Sequence, residues 1–397
     1  MQQHRDTPFG TGVQRFSEPR VRIFRLDFLL LFATLGLIAF SLVTLDSATA
    51  DATESSHFYA TRQGIYAIVG IVIMIALASI DYSRFRELRT GLYVAMMGLI
   101  VTVLALGGAT RGSRRWIELP FFRFQPSELG KVLLVLALSA FVLDRLRYIN
   151  DRQTTSRIML LALAPTLLVM AQPDLGTSII YVNIVLALLF VAGTKWTHFA
   201  ALAGLAVAAA VVVLMIAPAL GTPVLKGYQE DRLTAFLNKD DADPRSQGYQ
   251  LNQAQTAIGS GRKTGRGAER ATQTKLGFLP ESHTDFVFAV VGERFGFVGA
   301  GVVLSLYALL IWRTLRILTI AKNLYGALLA AGVGAMLMTQ VFVNVGGNVG
   351  IMPITGIPLP LMSYGGSSVI VTLIALGILQ SVYVQAREAA AGKAEPI

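Results

Sequence analysis

Ten apolar segments leave this chain few ways to fold. They lie near residues 28–45, 64–80, 91–107, 127–143, 158–171, 175–192, 198–217, 297–318, 325–345 and 367–386. Segments of this kind suit helices crossing a hydrocarbon core about 30 Å thick. The composition agrees, with 54% of the 397 residues hydrophobic and only 15% charged, where a soluble domain carries about 25%. The expected fold class is therefore an all-α polytopic membrane protein with about ten transmembrane helices. Gln172–Pro173 leaves one choice open. Proline removes a backbone donor, so the fifth and sixth segments are either two crossings or one broken helix, and a break at that depth survives only against protein or a water-filled cavity.

Charge sets the expected topology. Arg20, Arg22 and Arg25 precede the first span, Arg84, Arg86 and Arg89 follow the second, and Arg145 and Arg147 follow the fourth. Lys195, Arg313, Arg316, Lys322, Arg387 and Lys393 fall on the same side if there are ten spans. By the positive-inside rule both termini are then cytoplasmic. Residues 1–27 read as a retained N-terminal tail, 28–386 as the transmembrane domain and 387–397 as a C-terminal tail. Residues 218–296 form a large extracytoplasmic loop between spans 7 and 8, whose glycines and charges predict little packing and some movement over 218–280. The net charge of +10 fits this loop asymmetry and attraction to anionic lipid, not nucleic acid. The chain has no cysteine, which removes disulfides and thiolate chemistry. The short outer loop 108–126 breaks the charge rule with Arg111, Arg114, Arg115 and Arg123. Those residues suit either an anionic ligand or a solvated loop.

The stretch from Lys275 to Ala289 carries Glu281, His283 and Asp285 at the expected outer edge of the bilayer. Gln125-Pro-Ser-Glu128-Leu-Gly-Lys131 opens the fourth span. Its Glu128 and Lys131, at i and i+3, share a face and can pair, as a functional site in the membrane or as a structural ion pair. Asp174, in Gln172-Pro-Asp-Leu-Gly-Thr177, is a candidate site residue or a helix N-cap. Trp116 and Tyr364 suit aromatic interface anchors. Gln340, Asn344 and Asn348 make a polar stripe on an apolar helix, suited to holding helices together. The Pro- and Gly-rich stretch from Gly350 to Ser368 implies irregular backbone that is buried or lines a cavity. Gly259-Ser-Gly-Arg-Lys-Thr264 fails the spacing of a phosphate-binding loop, and the four histidines are too scattered for a metal cage.

These boxes together resemble the SEDS family of bacterial cell-wall proteins. Arg115-Trp116-Ile117, Gln-Pro-Ser-Glu with Lys131, Gln-Pro-Asp-Leu-Gly-Thr, Phe278-Leu-Pro-Glu-Ser-His-Thr-Asp-Phe286 and the Pro353–Ser368 stretch occur in order between residues 28 and 386. The Thr-Gly-Ile-Pro-Leu-Pro wording is closer to the elongation branch of that family than to its division branch. The resemblance implies a peptidoglycan glycosyltransferase that polymerises lipid II, with an undecaprenyl-pyrophosphate-linked glycan as donor. It also implies a class B penicillin-binding transpeptidase as partner. It makes Asp285 the catalytic residue, and it points to Glu128, Lys131, Asp174 and the Arg114–Trp116 box for substrate.

Forming a β-1,4 bond from an α-linked pyrophosphate inverts the sugar centre, so one general base suffices. An aspartate of ordinary pKa about 3.9 becomes a better base when partly buried. Departing pyrophosphate needs positive charge, from Arg114, Arg115, Lys131, Arg262 or Lys263, or from a divalent cation such as Mg or Mn. Where the family carries two consecutive acids, this chain has Glu293-Arg294, so Glu293 is not assigned a role. A lipid II flippase or transporter is the rival reading. The absence of an internal repeat and the outer position of the titratable cluster weigh against it. A non-catalytic scaffold would leave Asp285 dispensable.

Overall fold

The computed structural model describes residues 25–48, 57–106, 108–110, 113–118, 122–212, 247–279 and 281–394. Its longer helices are α1 (Phe28–Ala48), α2 (Phe58–Ala78), α3 (Arg89–Leu106), α4 (Pro126–Asp144), α5 (Arg152–Ala171), α6 (Leu175–Val191), α7 (Trp196–Val211), α8 (Gln247–Ser260), α9 (Val287–Ile320), α10 (Leu324–Val349) and α11 (Gly366–Ala394).

 The helices that match the ten apolar segments are α1 to α7 and α9 to α11. Seven of these are long and apolar enough to cross a membrane, and α3, α6 and α7 are shorter apolar helices.

Two sets of contacts define the ends of the bundle. At one end Arg25 pairs with Glu388, Arg86 and Arg89 with Asp144, and Tyr82 donates to Asn323. Asp27 ties three helices together there: it accepts from Leu30 N at the start of α1, from Arg313 of α9, and exchanges backbone bonds with Gln380 of α11. Arg25, Arg86, Arg89 and Arg313, four of the residues expected on the cytoplasmic side, take part in these contacts. At the other end, Ser41 of α1 and Gln63 of α2 donate to the carbonyls of Met362 and Ser363.

The Gln172–Pro173 choice resolves as a tight antiparallel hairpin. Ser178 Oγ reaches Thr166 O near the turn, and Lys195 N reaches Asn150 Oδ1 at the far end. Close packing holds the core. A Cβ at Gly377 would meet the backbone of Met74 at 2.9 Å, so α2 and α11 approach nearly backbone to backbone, as small residues allow in lipid.

Two expectations need correction. The segment 218–280 was expected to pack little, yet its described part, 247–279, lies against α9. Leu251, Ala254 and Ala257 of α8 are buried, and the last two share a cluster with Leu279, Phe286, Ala289 and Val290. The apolar spacing of three residues within a polar helix is a weak signal, which is why it reads as loop. The helix that matches the eighth segment also starts earlier than residue 297. At 1.5 Å per residue, the 34 residues of α9 would reach roughly 51 Å as a straight rod, longer than the hydrocarbon core. The helix instead breaks at Gly296, whose φ of 64° and ψ of −158° are open essentially to glycine alone. Residues 287–294 form a buried half-helix before the break. The charged pair Glu293-Arg294 hides it from hydropathy.

The loop after α8 explains the break. Arg262 O and Lys263 O accept from Phe297 N and Val298 N, and Arg266 N donates to Glu293 O. A side chain at Gly265 would run into the backbone of Arg294, and one at Gly261 into that of Gly292. Gly261, within the stretch that fails as a phosphate loop, and Gly265 just after it let two backbones touch.

Candidate active site

Asp285 lies in the turn before α9, half-buried, and its position is set through the backbone. Three successive carbonyls are held. Tyr364 N donates to His283 O at 2.8 Å, and Ser363 Oγ donates to Thr284 O. Asn344 Nδ2 and Asn348 Nδ2 both donate to Asp285 O, at 3.1 and 3.0 Å. The polar stripe of α10 therefore grips this segment, although Gln340, deeper in the same helix, does not join the grip. Asn348 has a second task. Its Oδ1 accepts from Ala289 N at 3.2 Å, serving one of the orphan N–H groups at a helix start where Phe286, the N-cap, offers no side-chain bond. Irregular backbone from Met352 to Ser363 is shaped from within, by Leu359 N donating to Ser363 Oγ and by Asn344 Nδ2 reaching Ile357 O.

The other residues of the stretch take lesser places. Glu281 O accepts from the N–H groups of Thr284, Asp285 and Phe286, so this residue shapes the turn. The His283 ring stacks on Tyr59, centroids 4.6 Å apart. A small crevice of about 10 Å³ adjoins Asp285, lined by Asn344, Asn348 and Ile354–Ile357. A Cβ at Gly176 would strike Ile357 and Thr355, so this same wall joins Asp285 to the start of α6.

There the second half of the site is built. Asp174 caps α6 by accepting from Thr177 N at 3.1 Å, and its other oxygen accepts from Thr177 Oγ1, Gln125 Nε2 and Ser127 Oγ. Both readings of Asp174 therefore meet in one residue, a cap that also welds α4 to α6. Glu128 and Lys131 form an ion pair, Oε2 to Nζ 2.7 Å, with side chains 3% and 1% exposed. From sequence the pair reads as a functional site in the membrane or as a structural ion pair. It is enclosed between helices, because the α4 face carrying it packs on α6 and α10, with Tyr181 donating to Ser127 O alongside.

The expected cations spread out. Arg115 Nε donates to Gln172 O at 2.9 Å, tying the strands that precede α4 to the α5–α6 turn. Those strands, β1 (Gly108–Thr110), β2 (Ser113–Glu118) and β3 (Arg123–Phe124), make a small antiparallel sheet that replaces the expected loop. Arg114 and Trp116 lie on β2, the latter opposite Gly108. Arg262 and Lys263 are exposed on the turn that braces the α9 break. Tyr364, expected as an interface anchor, packs edge-on against Tyr59. Glu293, given no role from sequence, is fully buried and accepts from Gln273 N, Thr274 N and Thr274 Oγ1. Nothing in its local sequence announces those partners. Among the described residues no three His, Asp or Glu side chains converge as a cage for a metal ion.

Comparison with known proteins places this arrangement. Residues 23–388 match the FTSW_RODA_SPOVE family model, described as a cell cycle protein. The chain is 38% identical over 358 residues to the peptidoglycan glycosyltransferase MrdB of Escherichia coli K12, covering 90% of this chain and 93% of that protein. It superposes with TM-score 0.76 and 33% identity on a chain from a peptidoglycan synthase complex in which polymerization and crosslinking are structurally coordinated, covering 91% of this chain and 98% of that one. The rod shape determining protein RodA of Thermus thermophilus gives TM-score 0.64 at 29% identity, covering 90% of this chain and 96% of that one. With the boxes in order, the bundle in place and the match nearly end to end, this multi-pass membrane protein belongs to the FtsW/RodA/SpoVE family, the SEDS proteins.

Proposed function

We propose that the protein polymerises lipid II into glycan strands at the outer face of the bacterial inner membrane, with Asp285 as general base and both termini in the cytoplasm. The family membership and the likeness to MrdB support the activity, and the likeness to MrdB and RodA supports an elongation role, with the division branch as the alternative because an FtsW protein matches at 38% identity too. The observation that carries the assignment of Asp285 is the triple grip on the carbonyls of His283, Thr284 and Asp285. A catalytic base must be held to within a fraction of an ångström of its target, and displacement by about 1 Å costs on the order of 10²-fold in rate.

The bond changes balance without a co-reactant. Asp285 takes the proton of the acceptor sugar's 4-hydroxyl as that oxygen bonds to C1 of the donor sugar. The C1–O bond to pyrophosphate breaks, its electron pair leaves with undecaprenyl pyrophosphate, and C1 inverts. Glu128, Lys131 and Asp174 act as the frame of the site rather than in the bond changes, since their charges are spent on one another and on capping. A class B penicillin-binding transpeptidase is the crosslinking partner this reading expects.

The test is polymerisation of labelled lipid II by the full-length protein with its transpeptidase. Asp285→Asn, well expressed and monodisperse, should yield no strands. Undiminished strand formation by that variant would sink the assignment, and lipid translocation by a variant unable to polymerise would favour the flippase instead.

A further inference from the structure

Beside Asp285 the structure gathers aromatic rings that the bond chemistry does not use. Tyr59, Arg62, Gln63 and Tyr66 fall at i, i+3, i+4 and i+7 of α2, one stripe of the helix. Gln63, buried in the middle of that stripe, donates to Ser363 O and accepts from Gly365 N, which latches α2 onto the segment gripping Asp285. The latch brings Tyr59 against His283 at 4.6 Å and against Tyr364 edge-on at 4.8 Å. Tyr66 lies 6.5 Å from Tyr364, and the Tyr364 hydroxyl is in hydrogen-bonding reach of Tyr66 and Arg62. The guanidinium of Arg62 stacks 4.3 Å over Phe58.

Scattered aromatic residues at a membrane surface are ordinary anchors. This group differs in two respects. The rings touch one another across three separate segments, and one of them, His283, is two residues from the proposed base on the same gripped backbone. Tyr59, Tyr66, His283 and Tyr364 are each half-buried, so the cluster is packed on one side and open on another. Burial pushes the Tyr364 phenol up from its ordinary value, which keeps its proton available for donation.

Pyranose rings joined β-1,4 carry their bulky groups equatorially and present axial C–H bonds on each face. Such a face is apolar and matches an aromatic ring, while the hydroxyl and N-acetyl groups at its edge call for donors. The cluster offers both kinds of surface, with Tyr59 and His283 as rings and Tyr364 Oη and Arg62 as edge donors. We propose that Tyr59, His283 and Tyr364, with Arg62 at the rim, form a saccharide-binding platform that seats a sugar of the glycan next to Asp285. The proposal rests on the reading of this region as a site of glycosyl transfer.

The test separates binding from chemistry. Full-length Asp285→Asn in lipid nanodiscs is titrated with uncrosslinked oligosaccharides of alternating N-acetylglucosamine and N-acetylmuramic acid, with no lipid II present. Binding should weaken about tenfold when Tyr59→Ala is added, the size expected for one aromatic contact, and Tyr59→Phe should restore it. Affinity unchanged within about twofold by Tyr59→Ala overturns the platform. Because the alanine variant can fail through misfolding, Tyr59→Trp supplies a second arm. Its added indole emission should shift saturably with oligosaccharide, and an emission that ignores saturating oligosaccharide overturns the proposal as well. In the active background, Tyr59→Ala should raise KM for lipid II more than it lowers kcat. Strand synthesis by Asp285→Asn would defeat the assignment of the base and leave this titration readable.

Discussion

Asn344 and Asn348 both donate to the carbonyl of Asp285, and this redundancy makes a quantitative prediction. In Asn344→Ala the carbonyl keeps the bond from Asn348, and in Asn348→Ala it keeps the one from Asn344. Each single variant therefore loses about one ordinary bond to this carbonyl, worth roughly 0.5–1.5 kcal/mol. The double variant leaves the carbonyl with neither amide. It incurs a desolvation penalty of about 1–3 kcal/mol that neither single variant feels. The two substitutions should therefore couple by about 1–3 kcal/mol, measured as a double-mutant cycle on kcat/KM for lipid II. That coupling corresponds to roughly 5- to 150-fold beyond the product of the single effects. Each variant carries a further cost in stability, because Ala289 N loses its acceptor in Asn348→Ala and Ile357 O loses a donor in Asn344→Ala. Both melting temperatures should fall below that of the unaltered protein. Additive effects within about 0.5 kcal/mol would refute the idea that the two amides hold Asp285 as a unit.

Other perturbations test the frame. Removing one member of the enclosed Glu128–Lys131 pair, as in Lys131→Met, should destabilise the protein by about 3–5 kcal/mol, with Glu128→Gln/Lys131→Met recovering part of that loss in thermal melting. Gly265→Ala forces a side chain into the backbone of Arg294 at a φ of 85° and should reduce protection from proteolysis between α8 and α9. Asp81 is pushed up by burial but more than offset by hydrogen bonds from Ser83 and Gln385 and by the charge of Lys322, so its pKa sits below the ordinary carboxylate value. Its contribution is present above the unfolded pKa and lost as pH falls through the folded one. Asp81→Asn should therefore flatten the loss of melting temperature on acidification below about pH 4.

The sequence is most readable where a single physical demand dominates. Lipid requires long apolar helices, and the segments matching α1 to α6 stand out because nothing else could make them so apolar. Asp285 is legible through the concentration of titratable groups at a span edge, and the Asn344–Asn348 stripe through its helical spacing. What stays hidden depends on partners far away in the chain. The half-helix before Gly296 is masked because Glu293 is charged, and its burial makes sense only once Gln273 and Thr274 are seen donating to it. Arg115 suits an anionic ligand or a solvated loop from sequence, and its bond to Gln172 O is not legible there. Sequence spacing can propose that a charge is exposed to substrate, but a carbonyl 57 residues away leaves no trace in it.

The two aspartates of the site hold different posts. The carboxylate of Asp174 accepts from Thr177, Gln125 and Ser127 and so joins α4 to α6. Around Asp285 the backbone is gripped, at its own carbonyl and at those of the two residues before it. A grip on the backbone fixes where the side chain starts. It also places the donors on α10 and on the Tyr364 segment, so movement of either would displace the base. A partner that bears on α10 or on this segment could thus tune the rate while touching neither substrate nor Asp285.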